Sequence, residues 1–230
     1  MRKPWVVLAG GGKNLSCFAL ALSRFLGTLC VFARGLGDEP FLGGKRLSFV
    51  LSPWAFARPF LFVAEDHAFT GGVVAGFRRA FSLVPYLLVL DAHLDLFDSW
   101  NSPSFVHRGN FLAYLLRWER FPEDRIFVCS SLDAWLLIHR VLGSVSSGFL
   151  YLSWDVDFGL PGVAHFPSDV SFEHLGGLFK DLASLLARGN VRLLGMDLVE
   201  LSDRKVLHPV SLAFQVARFL SPLFKEGVLQ

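Results

Sequence analysis

The segment Asp91-Ala92-His93-Leu94-Asp95 sets two carboxylates and an imidazole at alternate positions, and Asp155-Val156-Asp157 repeats the spacing with two more carboxylates. In an extended chain alternate side chains point to one face, so each segment can gather its polar groups on one point. His67, which follows Glu65 and Asp66, adds a second imidazole. Four aspartates crowded at one end of an apolar sheet repel one another and raise their own pKa values unless something cationic sits among them. Two divalent ions would set a charge of +4 against the −4 of Asp91, Asp95, Asp155 and Asp157. Oxygen-rich ligands mixed with imidazole suit Mn²⁺, and no cysteine lies nearby for a structural zinc site. Two such ions about 3.5–4 Å apart share a water and lower its pKa toward neutrality, which is the chemistry of hydrolysis at an electrophilic carbon. Each piece alone has a plainer reading, because aspartate commonly ends strands and caps helices and a histidine in an acidic turn is ordinarily a surface group. The joint occurrence favours a binuclear metal site.

The elements that must position these residues follow from the apolar pattern. Short β-branched or aromatic runs predict strands at residues 5–9, 29–33, 47–51, 60–64, 86–90, 126–129, 149–153 and 191–196. Helical periodicity predicts helices at 15–26, 72–81, 110–119, 132–141, 172–188 and 211–224. Several strands are apolar on both faces, as in a parallel sheet covered on both sides, so the expected architecture is α/β: a three-layer α/β/α sandwich with a mainly parallel sheet. No linker or repeat divides residues 1–230, which read as one domain. Ligands of such sheets bind beyond the carboxyl ends of the strands. There the sequence places Glu65, Asp66 and His67 after one strand, Asp91, His93 and Asp95 after another, Asp155 and Asp157 after a third, and Asp197 and Glu200 after a fourth.

Composition bounds the alternatives. Of 230 residues 53% are hydrophobic and 18% charged, which excludes disorder. No run of about 18 uncharged apolar residues exists, so no membrane-spanning helix is expected. The apolar stretch after Arg2 and Lys3 breaks into Gly10-Gly11-Gly12-Lys13 and reads as a first strand rather than a signal peptide. That glycine turn lacks the spacing of a phosphate-binding loop. A net charge of +2 with scattered basic residues gives no nucleic-acid footprint. Cys17, Cys30 and Cys129 are odd in number and embedded in apolar segments, which suits reduced core thiols and a cytoplasmic location.

With these residues in hand, the chain resembles the ureohydrolase family of arginases, agmatinases and formimidoylglutamases, and most of all the agmatinases. Ala64-Glu65-Asp66-His67 is similar to the family's Gly-Gly-Asp-His turn. Leu90-Asp91-Ala92-His93-Leu94-Asp95 matches Asp-Ala-His-x-Asp, Ser153-Trp154-Asp155-Val156-Asp157 matches Ser-Phe-Asp-x-Asp, and Gly195-Met196-Asp197-Leu198-Val199-Glu200 looks like Gly-Met-Asp-Val-Val-Glu. The resemblance implies an arginase-like fold and two Mn²⁺ per chain, one held by His67, Asp91, Asp95 and Asp155 and the other by Asp91, His93, Asp155 and Asp157. It implies a proton-shuttle role for His107 and, for Glu200, a grip on the cationic amidine or guanidinium of a small-molecule substrate. It also implies a homo-oligomer, in keeping with the 24 phenylalanines. His139, His165, His174 and His208 match no family position and read as solvated or structural.

The match departs from the family in three places. Phe105 stands where arginases carry an asparagine for the amino-acid end of their substrate, which favours agmatine over arginine. Phe158-Gly159-Leu160-Pro161 and His165-Phe166-Pro167-Ser168 replace the usual loop after Asp157, and the segment before His67 is shorter than in typical members. Three readings therefore stand: a linear-guanidino hydrolase acting on agmatine or a similar compound, the same chemistry on arginine, guanidinobutyrate, a formimino compound or an amide, and a non-catalytic relative that keeps only the fold.

Overall fold

An apolar run such as Phe60-Leu61-Phe62-Val63-Ala64 is a stable strand only if both of its faces are covered, and in the computed structural model of the chain they are. The structure describes residues 5–9, 12–33, 39–55, 59–82, 84–96, 106–160, 170–188, 190–202 and 205–224. Along these the elements are β1 (Trp5–Ala9), α1 (Lys13–Leu26), β2 (Cys30–Ala33), α2 (Pro40–Ala55), β3 (Phe60–Ala64), α3 (Ala68–Phe81), β4 (Tyr86–Leu90), α4 (Phe111–Arg117), β5 (Ile126–Cys129), α5 (Leu132–Ser144), β6 (Gly148–Asp155), α6 (Phe172–Ala187), β7 (Val191–Val199) and α7 (Pro209–Leu220).

The strands form one parallel sheet in the order β2-β1-β3-β7-β6-β4-β5. Alternation along each strand divides the core in two. Leu61, Val63, Leu88, Leu90, Leu152, Trp154 and Met196 meet α1, α5, α6 and α7 on one face. Phe60, Phe62, Leu87, Val89 and Tyr151 meet α2, α3 and α4 on the other. This is the α/β/α sandwich expected from the apolar pattern. Truncating one of its fully buried aromatics, Phe62 or Phe179, would cost about 3–5 kcal/mol. The helices start and stop where local chemistry directs: the Ser131 hydroxyl caps α5 at Ala134 N–H, that of Ser171 caps α6 at His174 N–H, and Gly27 ends α1 in the left-handed conformation.

One expected strand is a helix. Residues 47–51 lie within α2, although their Leu-Ser-Phe-Val-Leu run has strand-like composition. The cause is tertiary. Phe41, Gly44, Leu47 and Ser48 recur at helical spacing and are buried, while Phe49 and Val50 turn outward at 59% and 63% exposure. The buried stripe lies against α3, where the backbones approach so closely that a Cβ on Gly72 would collide with the Phe41 carbonyl and one on Gly44 would stand 2.5 Å from the Phe69 carbonyl oxygen. Packing of this closeness outweighs the weaker local preference for strand. The thiols also differ from expectation in part: all three are free, Cys129 is buried and pushed up to about 12 by that burial, but Cys17 is exposed on α1. No described helix is long and apolar enough to cross a membrane.

Candidate metal centre

The four strands whose ends carry the acids and histidines, β3, β7, β6 and β4, are adjacent in the middle of the sheet. Their carboxyl ends therefore form one continuous edge. His67 opens α3 beyond β3, and the Asp66 carboxylate fixes that turn by accepting the Ala68 N–H at 2.7 Å. Beyond β4 the Asp91 Oδ1 accepts the His93 backbone N–H at 2.7 Å, and at the end of β6 the Asp155 Oδ1 accepts that of Asp157 at 3.0 Å. Each is a turn closed by an aspartate side chain.

This corrects the sequence reading of the geometry. Residues 91–96 and 156–159 are not extended strand, so the alternate spacing does not work by pleating. The aspartate turns bring the groups together instead, helped by Asp95 in the left-handed region at φ 45°. Asp91, Asp95, Asp155 and Asp157 end up buried, and His93 stays 43% exposed.

Two clusters result. His67 Nδ1 lies 3.2 Å from Asp91 Oδ2, 3.0 Å from Asp95 Oδ2 and 3.3 Å from Asp155 Oδ2. His93 Nδ1 lies 3.3 Å from Asp91 Oδ1 and 3.1 Å from Asp157 Oδ2. Asp91 belongs to both. In each of the groups His67, Asp91, Asp95 and Asp91, His93, Asp157 the donor atoms fall within 4.8 Å of one another, close enough to hold a metal ion.

The charges are far from satisfied by the protein alone. Burial, and then the charges of Asp155 and Asp91, push Asp157 up to about 7. Burial also raises Asp95 and Asp155 against the opposing pull of His67. Burial works to raise Asp91 too, but the close approach of the His67 imidazole brings it below the usual carboxylate range. His67 is itself pulled down by burial, and the close carboxylates of Asp155, Asp91 and Asp95 outweigh that and hold it well above its ordinary value. A single proton on His67 thus has to answer several acids. His67 Nδ1, Asp91 Oδ2 and Asp157 Oδ1 are fully buried without a properly directed hydrogen bond. Unpartnered donors of this kind, nitrogen and carboxylate oxygen facing one another, fit a divalent cation in place of the proton.

Behind His67 stand residues to which the sequence alone assigns no role. His67 Nε2 meets Ser153 Oγ at 3.0 Å, and Ser153 Oγ meets Thr70 Oγ1 at 3.0 Å. Asp197 was placed beyond its strand, but β7 runs through it to Val199, and it is the register partner of Ser153 on β6. It is fully buried and accepts the Tyr151 hydroxyl at 2.8 Å. A serine and an aspartate interrupting two apolar runs were the available signal. The Phe111 ring lies against the His67 imidazole, with centroids 4.5 Å apart.

His107 is half-buried in the turn before α4, with its backbone N–H donated to Asn110 Oδ1 and its Nδ1 accepting the Gly109 N–H. The proton of the neutral ring therefore sits on Nε2. Glu200 follows β7 in the left-handed region, φ 61°, and its Oε2 lies 3.5 Å from both Arg108 Nη1 and Lys205 Nζ. The Arg108 contact ties the His107 turn to the end of β7. Phe105, His165, Gly10, Gly11, Pro161 and the segment from Phe166 to Ser168 lie outside the described residues. His174 bonds the Ser171 hydroxyl, His139 packs beside Trp135, and His208 is exposed ahead of α7.

No protein-family model matches the sequence, and no curated protein matches it. Solved structures do. The chain is similar to an arginase from Bacillus subtilis, with a TM-score of 0.72 at 15% identity over 99% of this chain and 100% of that one. It is similar to a hypothetical agmatinase from Burkholderia thailandensis (TM-score 0.71, 14% identity, 96% of this chain and 84% of that one) and to a formimidoylglutamase from Bacillus subtilis (0.65, 13%, 97% and 87%). These neighbours are ureohydrolases, and the seven-stranded parallel sheet with helices on both faces is their fold.

Proposed function

We propose that this chain, which has the ureohydrolase fold, is a binuclear manganese-dependent hydrolase that cleaves a C–N bond of a small linear guanidino or amidine compound, with agmatine as the leading substrate. The observation that carries the reading is the buried Nδ1 of His67, 3.0–3.3 Å from three aspartate oxygens and directed at none of them as a hydrogen bond, beside a second cluster that shares Asp91. His67, Asp91, Asp95 and Asp155 would hold one ion, and Asp91, His93, Asp155 and Asp157 the other. When bound, the pair supplies Lewis acidity and an activated water for attack on a planar carbon.

The chain's own residues do the rest. Glu200, at the adjacent strand end, binds the cationic end of the substrate by a charge-assisted hydrogen bond. His107, as the imidazolium, delivers a proton to the leaving amine as the C–N bond breaks and is left as the neutral ring, whose Nδ1 accepts the Gly109 N–H; the proton released by the attacking water restores it. Water supplies the oxygen and the remaining hydrogen, so agmatine gives putrescine and urea. The buried walls of the sheet edge, Phe111 among them, exclude bulk water and strengthen each of these contacts.

A second substrate class has specific support. Arg108 and Lys205 already stand at Glu200 Oε2, so a fully cationic ligand meets two like charges there, whereas a formimino or guanidino acid could use them. Exposed Leu136, Leu137 and Phe25 support the reading of a homo-oligomer, and the buried thiol of Cys129 that of a reducing, cytoplasmic setting. The test is to load the protein with Mn²⁺ and measure urea or formamide release from agmatine, arginine, guanidinobutyrate and formiminoglutamate. Turnover of one supports the proposal; silence on all four defeats it in favour of a non-catalytic relative.

A further inference from the structure

Asp197 is a carboxylate in the middle of the sheet for which the proposed reaction has no use. It sits on β7 between Phe62 of β3 and Ser153 of β6, fully buried. Burial pushes it up to about 6, even though the hydroxyls of Ser153, Tyr151 and Thr70 and the charge of His67 all pull it down. Tyr151 occupies Oδ2 at 2.8 Å, while Oδ1 has no complete hydrogen bond. An ionisable group in such a place costs free energy that an apolar residue would not.

Its neighbours suggest what it does. Ser153 Oγ is met at 3.0 Å by His67 Nε2 on one side and by Thr70 Oγ1 on the other. A hydroxyl has one proton and can accept or donate, so Ser153 alone does not choose between the two tautomers of a neutral imidazole. An ionised carboxylate only accepts. Asp197 stands beside Ser153 across the β6–β7 register, and the hydroxyls of Ser153 and Thr70 both pull its carboxyl down, so it is the acceptor on which a chain of hydroxyls would end, directly or by way of Thr70. The lone pair of Ser153 is then left for an Nε2–H donor, so that in the neutral ring Nδ1 is the nitrogen without a proton.

We propose that Asp197 is a positioning residue for His67: acting through Ser153, it fixes the Nε2–H tautomer and keeps the Nδ1 lone pair turned toward Asp91, Asp95 and Asp155, ready for a divalent ion. The inference rests on the reading of His67 as a metal ligand. It extends the general pattern in which an outer acceptor orients a ligating histidine, with the acceptor here one hydroxyl removed from the ring. Asp197→Asn inverts the pattern without changing shape. Tyr151 holds the amide oxygen, the NH₂ group donates toward the hydroxyls, and Ser153 then donates to Nε2, which puts the imidazole proton on Nδ1 where the ion should bind.

The experiment measures Mn²⁺ binding to the full chain by equilibrium dialysis with elemental analysis. Wild type is expected to bind two ions. D197N should weaken one of them about 10–100-fold and leave the other unchanged, and S153A should do the same. Since both act through one link, D197N/S153A should be no worse than the more severe single variant. Tyr151→Phe, which removes a hydrogen bond from the same carboxylate but leaves the Ser153 link, should lower the melting temperature and keep both affinities within about threefold. If D197N does not fold, S153A carries the test. Wild-type affinity in D197N or S153A, equal weakening of both ions, or losses that multiply in the double variant would overturn the proposal. A wild-type protein that binds no ion would instead overturn the metal reading on which it rests.

Discussion

Asp91 and Asp155 perform the same turn at the ends of β4 and β6, two neighbouring strands. In each, Oδ1 accepts the backbone N–H two residues on, at 2.7 and 3.0 Å, and Oδ2 is left 3.2 and 3.3 Å from His67 Nδ1. One oxygen thus closes the local turn and the other faces His67, and Asp91 Oδ1 also stands 3.3 Å from His93 Nδ1. Their carboxylates are thereby fixed before any ligand arrives, which reduces the ordering cost of binding.

Because Asp91 belongs to both clusters, its loss should be felt at both. In Asp91→Ala bound Mn²⁺ is expected to fall below one per chain, with activity lost by more than the roughly 10–100-fold that removal of an outer hydrogen-bond partner costs. Elemental analysis beside a urea assay checks this. Two retained ions would contradict the sharing.

The metal-free protein should lose stability as pH rises. Asp95, Asp155, Asp157 (about 7) and Asp197 (about 6) have folded pKa values above their unfolded ones, and so does His67. For such groups the stabilising contribution is complete below the unfolded value and disappears as pH climbs through the folded one. Asp91, which is lowered, opposes this alone. The melting temperature in chelator should therefore fall between pH 5 and pH 8, and Mn²⁺ should restore it at pH 8. A flat or rising profile in chelator would count against the electrostatic account.

His107 is assigned proton delivery and no part in metal binding. His107→Ala should lower kcat by about 10²–10⁴-fold with two Mn²⁺ still bound. A variant that keeps kcat, or that loses metal, would remove the assignment.

Lys205 competes with a cationic substrate for Glu200. Lys205→Met should raise kcat/KM for agmatine about two- to fivefold and lower it for a formimino acid. Loss of turnover with agmatine would mean that Lys205 serves the reaction rather than opposing this substrate.

Much of this was legible in the chain, because a polar residue set directly after an apolar run commonly marks a strand end, as it does for Asp91 though not for Asp197. That reasoning located His67, Asp91, His93, Asp95, Asp155 and Asp157, and the sheet order then brought their strands side by side. It could not supply the order itself, which depends on crossovers between distant segments. The run at 47–51 misled because strand-like composition says nothing of the glycines on α3, Gly72 and Gly76, that admit a second helix at close range. Ser153 and Asp197 were overlooked as second-tier groups because their partnership exists only across the β6–β7 register. The cations at Glu200 come from separate loops, Arg108 before α4 and Lys205 after β7, and no spacing in the sequence brings them together.

The central claim is that a pair of divalent cations completes this cluster of acids. It is tested most directly by anomalous diffraction from a crystal grown with Mn²⁺. The account predicts two peaks, one against His67 Nδ1 and one against His93 Nδ1, with Asp91 reaching both. Side chains of Asp91, Asp95, Asp155 and Asp157 gathered around no peak, or turned away into solvent, would contradict it.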